Sequence, residues 1–168
     1  VRHGHWLARA PSNPIRCLHF RVEGPVVADL QRTFAMDWAF TTGEHLRGPE
    51  WFPPLPIAGG VAARGIPDGP DADLDHMLHI LLAAIAVANE RIRIVTPYFL
   101  PDDAVLRSLQ VAAMRGVAVD VVVPAKSNLP VLDWAMTPQF HWLVKSGCRL
   151  HLGGPGFDHT KLATVDGY

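Results

Sequence analysis

From residue 72 onward, segments with helical and strand periodicity alternate along the chain. The pattern predicts a helix over about 72–89, a strand at 91–96, and a helix that begins after Asp102 and ends at Gly116. The valine-rich segment 117–123 predicts a central strand covered on both sides. Strands separated by single helices imply parallel crossover connections, so we expect a layered α/β sheet.

The same alternation continues to the end of the chain. A helix is predicted to start at Pro130, and Pro138 is expected to interrupt or split it. A strand over 148–152, a glycine-rich turn at 153–156 and a last strand over 158–167 follow.

The first third of the chain has a weaker pattern. Residues 1–16 are predicted as loop and 17–23 as a short strand. Gly24-Pro25 opens a helix that ends at Thr41-Thr42-Gly43. Its apolar stripe is expected to face inward and its charged residues outward; these are Val26 or Val27, Leu30, Phe34 and Trp38, against Asp29, Arg32 and Asp37.

Proline and glycine are concentrated over residues 48–70. This composition predicts a connector with one short embedded strand at about 60–64. A boundary between two modules is placed within residues 53–69. In the following helix, Asp71 or Asp73 is the expected cap, and the inward positions are Leu74, Leu78, Leu81, Leu82 and Ile85.

Composition narrows the possible classes. The chain has 49% hydrophobic and 18% charged residues, which is typical of a globular protein. A net charge of -1 argues against general nucleic-acid binding, so an anionic substrate must be met locally. Cys17 and Cys148 are expected to be free thiols, although a disulfide between them stays open. The longest apolar run, 80–88, is too short to cross a bilayer.

The main candidate chemistry lies in the last predicted strand. His159 and Lys161 are two residues apart, so both would project from the same face of a strand. Asp166 is expected at the Asp-Gly turn that ends it. An imidazole beside an ammonium suits an anionic oxygen and phosphoryl transfer. The alternative is a half-exposed strand that carries a His and a Lys by chance.

The spacing of His159, Lys161, Asp166 and Gly167 resembles the HKD motif of the phospholipase D superfamily. Stretches in the same order resemble bacterial cardiolipin synthases from about residue 17 onward; they are Leu18–Val27, Phe34–Trp38, Thr42–Glu44, Gly69–Asp71, Thr96–Asp102, Arg115–Val117, Pro124 and Phe157–Lys161. The resemblance implies a phospholipase D-like α/β/α sandwich. Residues 1–52 would be the remnant of a first half, 53–69 the connector and 70–168 a nearly complete second half.

That resemblance also implies the chemistry. His159 would act on phosphorus or on the leaving alcohol, with a general acid/base role favoured over a nucleophilic one. Lys161 would bind non-bridging oxygens, and Asp166 would support the site through hydrogen bonds. No cofactor and no metal is implied. The implied partners are an anionic phospholipid substrate, a membrane surface and the first half of the same chain, with no nucleic acid. The implied location is the cytoplasmic side of the bacterial inner membrane.

The sequence also departs from the family pattern. Cys17 stands where the family has an acidic residue, and a first HKD motif and the Gly-Ser-x-Asn stretch after the second motif are absent. We therefore expect a fragment that is inactive alone. Three functions stay open: a cardiolipin synthase-like phosphatidyltransferase, another phosphodiesterase such as a nuclease or lipid hydrolase, and a non-catalytic anion-binding module.

Other residues allow two interpretations each. Tyr98 and Phe99 could line a lipid pocket, but packing is favoured. Lys126 and Asn128 could touch phosphate or lie in a solvated loop. The turn at 153–156 could bind an anion, although a simple tight turn is favoured. A core role is favoured over a membrane anchor for the aromatic residues of the last helix, and a plain helix face over a zinc site for the histidine pair; these are Trp134, Phe140 and Trp142, and His76 and His79.

Overall fold

The computed structural model describes residues 15–69 and 74–168, which form two compact units. One unit consists of residues 15–18 and 78–168, and the other of residues within 19–77. The elements are β1 (Ile15–Arg16), α1 (Val26–Thr42), α2 (His76–Val87), β2 (Arg91–Val95), α3 (Asp103–Met114), β3 (Ala118–Val123), α4 (Pro130–Lys145), β4 (Arg149–Leu152), β5 (Phe157–Asp158) and β6 (Leu162–Val165).

A four-stranded sheet organises the larger unit. Its strand order is β4-β3-β2-β6; β2, β3 and β4 are parallel, whereas β6 runs antiparallel to β2. In that antiparallel pair Val95 lies opposite Leu162, so β6 begins at the edge of the sheet where β2 ends. Strands β1 and β5 form a separate parallel pair. The predicted α/β class and its parallel crossovers are confirmed.

The core lies on one face of this sheet. Ile92, Val119 and Val121 are fully buried in one cluster with Leu109 of α3 and Leu143 of α4. Burying side chains of this size contributes about 1.5–3 kcal/mol each. Helices α3 and α4 therefore cover the face of the sheet on which these valines lie.

The opposite face of β3 is only half-buried, which corrects the prediction of a strand covered on both sides. Ala118, Asp120 and Val122 alternate with the buried valines. Asp120 accepts two hydrogen bonds of 2.7 Å from Arg149 and lies 2.8 Å from His151 Nε2. The Arg149 hydrogen bonds, followed by that of His151, lower the pKa of Asp120 to about 2. The charged Asp120 is accommodated on this face because Arg149 and His151 pair with it.

Helix ends follow the predicted signals. The Asp102 carboxylate accepts a 2.7 Å hydrogen bond from Ala104 N and caps α3. Gly116, with φ 93°, follows the end of α3 as expected. Arg115 donates to the carbonyls of Ile85, Ala86 and Ala88, so it stabilises the C-terminal end of α2. The predicted caps Asp71 and Asp73, and residues 1–14 of the predicted loop, lie outside the described residues. The loop prediction is wrong at its end, because residues 15–16 pair with β5 and form β1.

Four local predictions are wrong. Residues 17–23 and 60–64 form no strand, because a strand needs a hydrogen-bonded neighbour and side-chain alternation cannot supply one. Helix α4 continues through Pro138, since Met136 and Leu143 anchor it in the core on both sides of the proline. Leu74, expected inward, is exposed, whereas Ile85 is buried.

Helix α1, in the smaller unit, has its predicted bounds but not its predicted burial. It spans Val26–Thr42 and ends at Gly43, yet none of its residues is buried, and Leu30, Phe34 and Trp38 are exposed. Asp29, expected to face solvent, accepts a 2.9 Å hydrogen bond from Gly65 N. The polar side of α1 therefore contacts the connector.

No helix among residues 15–69 and 74–168 has the length and apolar character needed to cross a membrane.

Candidate active site

His159 and Lys161 lie in a short segment between β5 and β6. This segment, 159–161, is not part of either strand, so the predicted continuous strand over 158–167 is wrong in extent. The break follows from side-chain hydrogen bonds that replace the ladder: Asp158 Oδ1 accepts from Thr160 N at 2.8 Å. Because β6 begins where β2 ends, the segment lies at the edge of the sheet formed by the ends of β2 and β3.

The two predicted side chains lie together. Lys161 Nζ is 3.2 Å from Nδ1 and 3.5 Å from Nε2 of the His159 imidazole. The same ammonium donates to the His159 carbonyl oxygen at 3.4 Å. Lys161 is exposed and His159 is half-buried. An ammonium and an imidazole therefore share one partly open position, although the strand alternation that predicted this is absent.

Strand β1 and the residues after it hold the backbone of this segment. His159 N donates to the Arg16 carbonyl oxygen at 2.7 Å. Leu18 N donates to Thr160 Oγ1 at 3.1 Å, and Thr160 is buried. These contacts bridge residues far apart in the chain. Neither the period nor the composition of the sequence indicated them, because the first 16 residues show no strand pattern.

The electrostatic environment favours a neutral imidazole. Burial is the main cause that lowers the pKa of His159 below its ordinary value of 6.5, and the Lys161 charge lowers it further. Asp158 acts in the opposite direction with a smaller effect. In its neutral form an imidazole can attack phosphorus or accept a proton through a ring nitrogen.

Two aromatic rings flank the His159 imidazole. Tyr98 contacts it edge-on with centroids 6.1 Å apart, and Phe157 lies at 5.8 Å. The Tyr98 hydroxyl donates to Asn128 Oδ1 at 2.7 Å. Phe99 is buried in the core and Tyr98 packs against it, so the favoured packing prediction is confirmed for both, although Tyr98 also lies against the candidate site. The position of Tyr98 in the loop that follows a strand was the sequence signal for it.

Asp166 lies at the other end of β6. Its carboxylate accepts backbone hydrogen bonds from Asn89, Glu90 and Arg91 at 2.8, 2.9 and 2.8 Å. These three bonds, with that of Arg91 the largest, lower the pKa of Asp166. Asp166 and Gly167 both have positive φ angles, 51° and 95°, so the predicted Asp-Gly turn is confirmed. The structure therefore joins His159 with Lys161 and places Asp166 apart from them.

The other candidate residues differ in their exposure to solvent. Lys126 and Asn128 are exposed, and the turn at 153–156 lines a cavity of about 50 Å³ with Arg16 and Asp158. Phe140 packs against the core, but Trp134 and Trp142 are exposed, so the favoured core role is wrong for both tryptophans. Both cysteines are free, as expected. Among residues 15–69 and 74–168, no group of three or more His, Cys, Asp or Glu side chains could hold a metal ion.

Known proteins resemble this chain over most of its length. A family model described as the PLD-like domain of cardiolipin synthase matches residues 81–168. Cardiolipin synthase 2 of Bacillus cereus is 34% identical over 155 residues, which are 90% of this chain and 30% of that protein. Cardiolipin synthase A of Pseudomonas syringae is 36% identical over 160 residues, 94% of this chain and 33% of that protein.

One solved structure gives a weaker match. The phospholipase D family member Nuc from Salmonella typhimurium has a TM-score of 0.41 and 26% identity, covering 53% of this chain and 57% of that chain. The chain spans about a third of the length of the curated relatives that it matches. Since the family model covers more than half of the chain, the chain belongs to the family of phospholipase D-like domains found in cardiolipin synthase.

Proposed function

We propose that this chain supplies one half of the active site of a cardiolipin synthase-like phosphatidyltransferase. The reaction moves a phosphatidyl group from one phosphatidylglycerol to the terminal hydroxyl of another and releases glycerol. The observation that carries the proposal is the 3.2 Å approach of Lys161 Nζ to the His159 ring, in a chain of this family.

The proposed transfer has two displacements at phosphorus. A histidine nitrogen bonds to phosphorus while the bond to the leaving glycerol oxygen breaks, and a second histidine protonates that oxygen. The hydroxyl of the acceptor then attacks phosphorus, gives up its proton to the second histidine, and the phosphorus–nitrogen bond breaks. Lys161 would bind the non-bridging oxygens and offset the charge that develops on them.

The lowered pKa of His159 indicates which catalytic role its imidazole can take. Its lowered pKa favours the neutral imidazole near neutral pH, which is the form needed for attack or for proton acceptance. We therefore propose His159 as the nucleophile, in place of the acid/base role that the resemblance favoured, and the second histidine as the acid of the first step and the base of the second. Asp166 would act at a distance, by holding β6 to the segment that precedes β2.

A second His–Lys pair, outside this chain, would complete the site. We propose that residues 70–168 form the second half of a two-half enzyme, that residues 1–52 belong to its first half, and that residues 53–69 connect them. The first half would provide the second His–Lys pair. The substrate would be an anionic phospholipid, which places the enzyme at a membrane; we propose the cytoplasmic face of the bacterial inner membrane.

Radiolabelled phosphatidylglycerol tests the proposed function in the full-length protein. Labelled cardiolipin is the expected product, and it should disappear in His159→Ala but persist in His79→Ala, which removes an exposed histidine from α2. Free phosphatidic acid as the main product would identify a hydrolase instead. No turnover of the lipid would contradict the proposal.

A further inference from the structure

Exposed apolar side chains lie at the same edge of the sheet as His159. Strands β2 and β3 are parallel, so the loops that follow them meet at one edge, where β6 also begins. Four exposed side chains occupy these loops and the start of α4; they are Leu100 (45% exposed), Leu129 (46%), Val131 (65%) and Trp134 (79%). We call these four residues the apolar rim.

Among the described residues, α4 is held in place by the core and not by the rim. Helix α4 is held in the core by Met136 and Leu143, which are fully buried, while Val131 and Trp134 project away from it. Apolar side chains gain free energy when burial removes their surface from water. A partner that covers the rim would recover this free energy.

The chemistry of the rim fits a bilayer surface. Tryptophan is enriched at membrane–water interfaces, where an apolar body and a polar N–H are both satisfied. Lys126 is exposed in the same loop as Leu129, and a cation beside apolar side chains suits anionic lipid headgroups. Three acidic groups of the same loops and of the helix starts after them have partners: Asp133 accepts from Ser127 N, Asp102 caps α3, and Asp103 pairs with Arg107.

We propose that the apolar rim inserts into the interface of an anionic bilayer and presents the His159–Lys161 edge to lipid headgroups. This inference rests on the proposed function, because a phospholipid substrate must reach that edge from a membrane. It assigns membrane contact to residues of this chain itself. Trp134 provides the largest apolar surface, and Leu100 and Leu129 bring the contact next to the loops that flank the site.

Vesicle flotation of this 168-residue chain tests the inference with matched variants. The rim variant is Val131→Ser/Trp134→Ser. The control variant is Val87→Ser/Met114→Ser, which also removes two exposed apolar side chains (68% and 81%). Val87 and Met114 end α2 and α3, at the edge where β2 and β3 begin, so they lie on the side away from His159.

We expect binding to vesicles of phosphatidylcholine with phosphatidylglycerol to fall about tenfold or more in the rim variant, and less than about twofold in the control. Leu100→Ser/Leu129→Ser should also reduce binding, which guards against a folding defect specific to α4. Equal losses in rim and control variants, or unchanged binding of both rim variants, would overturn the inference. A changed oligomeric state with unchanged vesicle binding would overturn it in favour of a protein partner.

Flotation requires no turnover, so the two proposals fail separately. Hydrolysis or transfer of a short-chain phosphatidylglycerol by the full-length protein, below the micellar concentration of the lipid, reports on the His159 site without a bilayer. Rim-dependent flotation without such turnover would leave the membrane contact in place and contradict only the proposed chemistry.

Discussion

One sequence motif is divided between the two ends of strand β6, and its residues have different physical roles at each end. At its start, His159 and Lys161 are side by side and accessible, and the imidazole has a lowered pKa. At its end, the Asp166 carboxylate is occupied by three backbone N–H groups of the α2–β2 connection. The comparison separates groups that can meet a substrate from a group that organises backbone.

His159→Ala should give the largest effect. Removing a group that acts on phosphorus is expected to lower the turnover of phosphatidylglycerol by the full-length protein by about 10³-fold or more. Thermal unfolding should be nearly unchanged, because the imidazole is only half-buried. His79→Ala is the control. A loss below about threefold would remove His159 from the mechanism.

Lys161→Met keeps the length of the side chain and removes its charge. We expect a loss of turnover of about 10²-fold, because the positive charge that offsets charge on the phosphoryl oxygens is gone. Arg107→Met, at an exposed cation of α3, is the matched control and should change turnover little. Equal effects of the two substitutions would indicate general electrostatic attraction and contradict a specific role of Lys161.

Asp166→Ala tests the other end of β6. We expect a lower Tm and a loss of turnover smaller than about tenfold, because three backbone N–H groups lose their acceptor while His159 and Lys161 remain. The pKa of Asp166 is lowered in the folded chain, so its contribution to stability is present above its ordinary value of 3.8 and is lost as the pH falls through the folded value.

Asp166→Asn helps to interpret that result, because it retains one carbonyl oxygen as an acceptor and should lose less stability than Asp166→Ala. If Asp166→Ala abolished turnover without changing Tm, the assignment of Asp166 to backbone organisation would be wrong.

The titration of His159 should give the smallest change. In Lys161→Met the pKa of His159 should rise and stay below 6.5, because the Lys161 charge is gone while burial remains. NMR of the imidazole protons as a function of pH measures it. An unchanged or lower pKa would show that the ammonium does not act on the ring.

The lowered pKa of His159 makes the folded chain less stable as the pH falls, whereas a histidine with a raised pKa would make it more stable. Because the folded chain holds a lowered His159 pKa, the unfolded chain binds more protons between the two values. The contribution of His159 is therefore complete above about 6.5 and decreases as the pH falls. Its removal in His159→Ala should flatten this part of the stability curve.

Local chemistry was enough to predict much of the larger unit. The Asp102 cap, the end of α3 at Gly116 and the Asp-Gly turn depend on a few adjacent residues, so the sequence predicted them correctly. The alternation in β2 and the buried valines of β3 likewise indicated their strands. Local reasoning also predicted that His159 and Lys161 would lie together, although the continuous strand on which it relied is broken over residues 159–161.

Tertiary structure decided the rest, because it depends on which distant groups meet. Sequence could not reveal that the Arg16 carbonyl oxygen would hold His159 N, or that Asp166 would bind the amides of residues 89–91. It also could not distinguish buried Phe99 from exposed Trp134, since both are aromatic residues in apolar stretches. Side-chain periodicity identifies an element, but burial and hydrogen-bond partners depend on what packs against it.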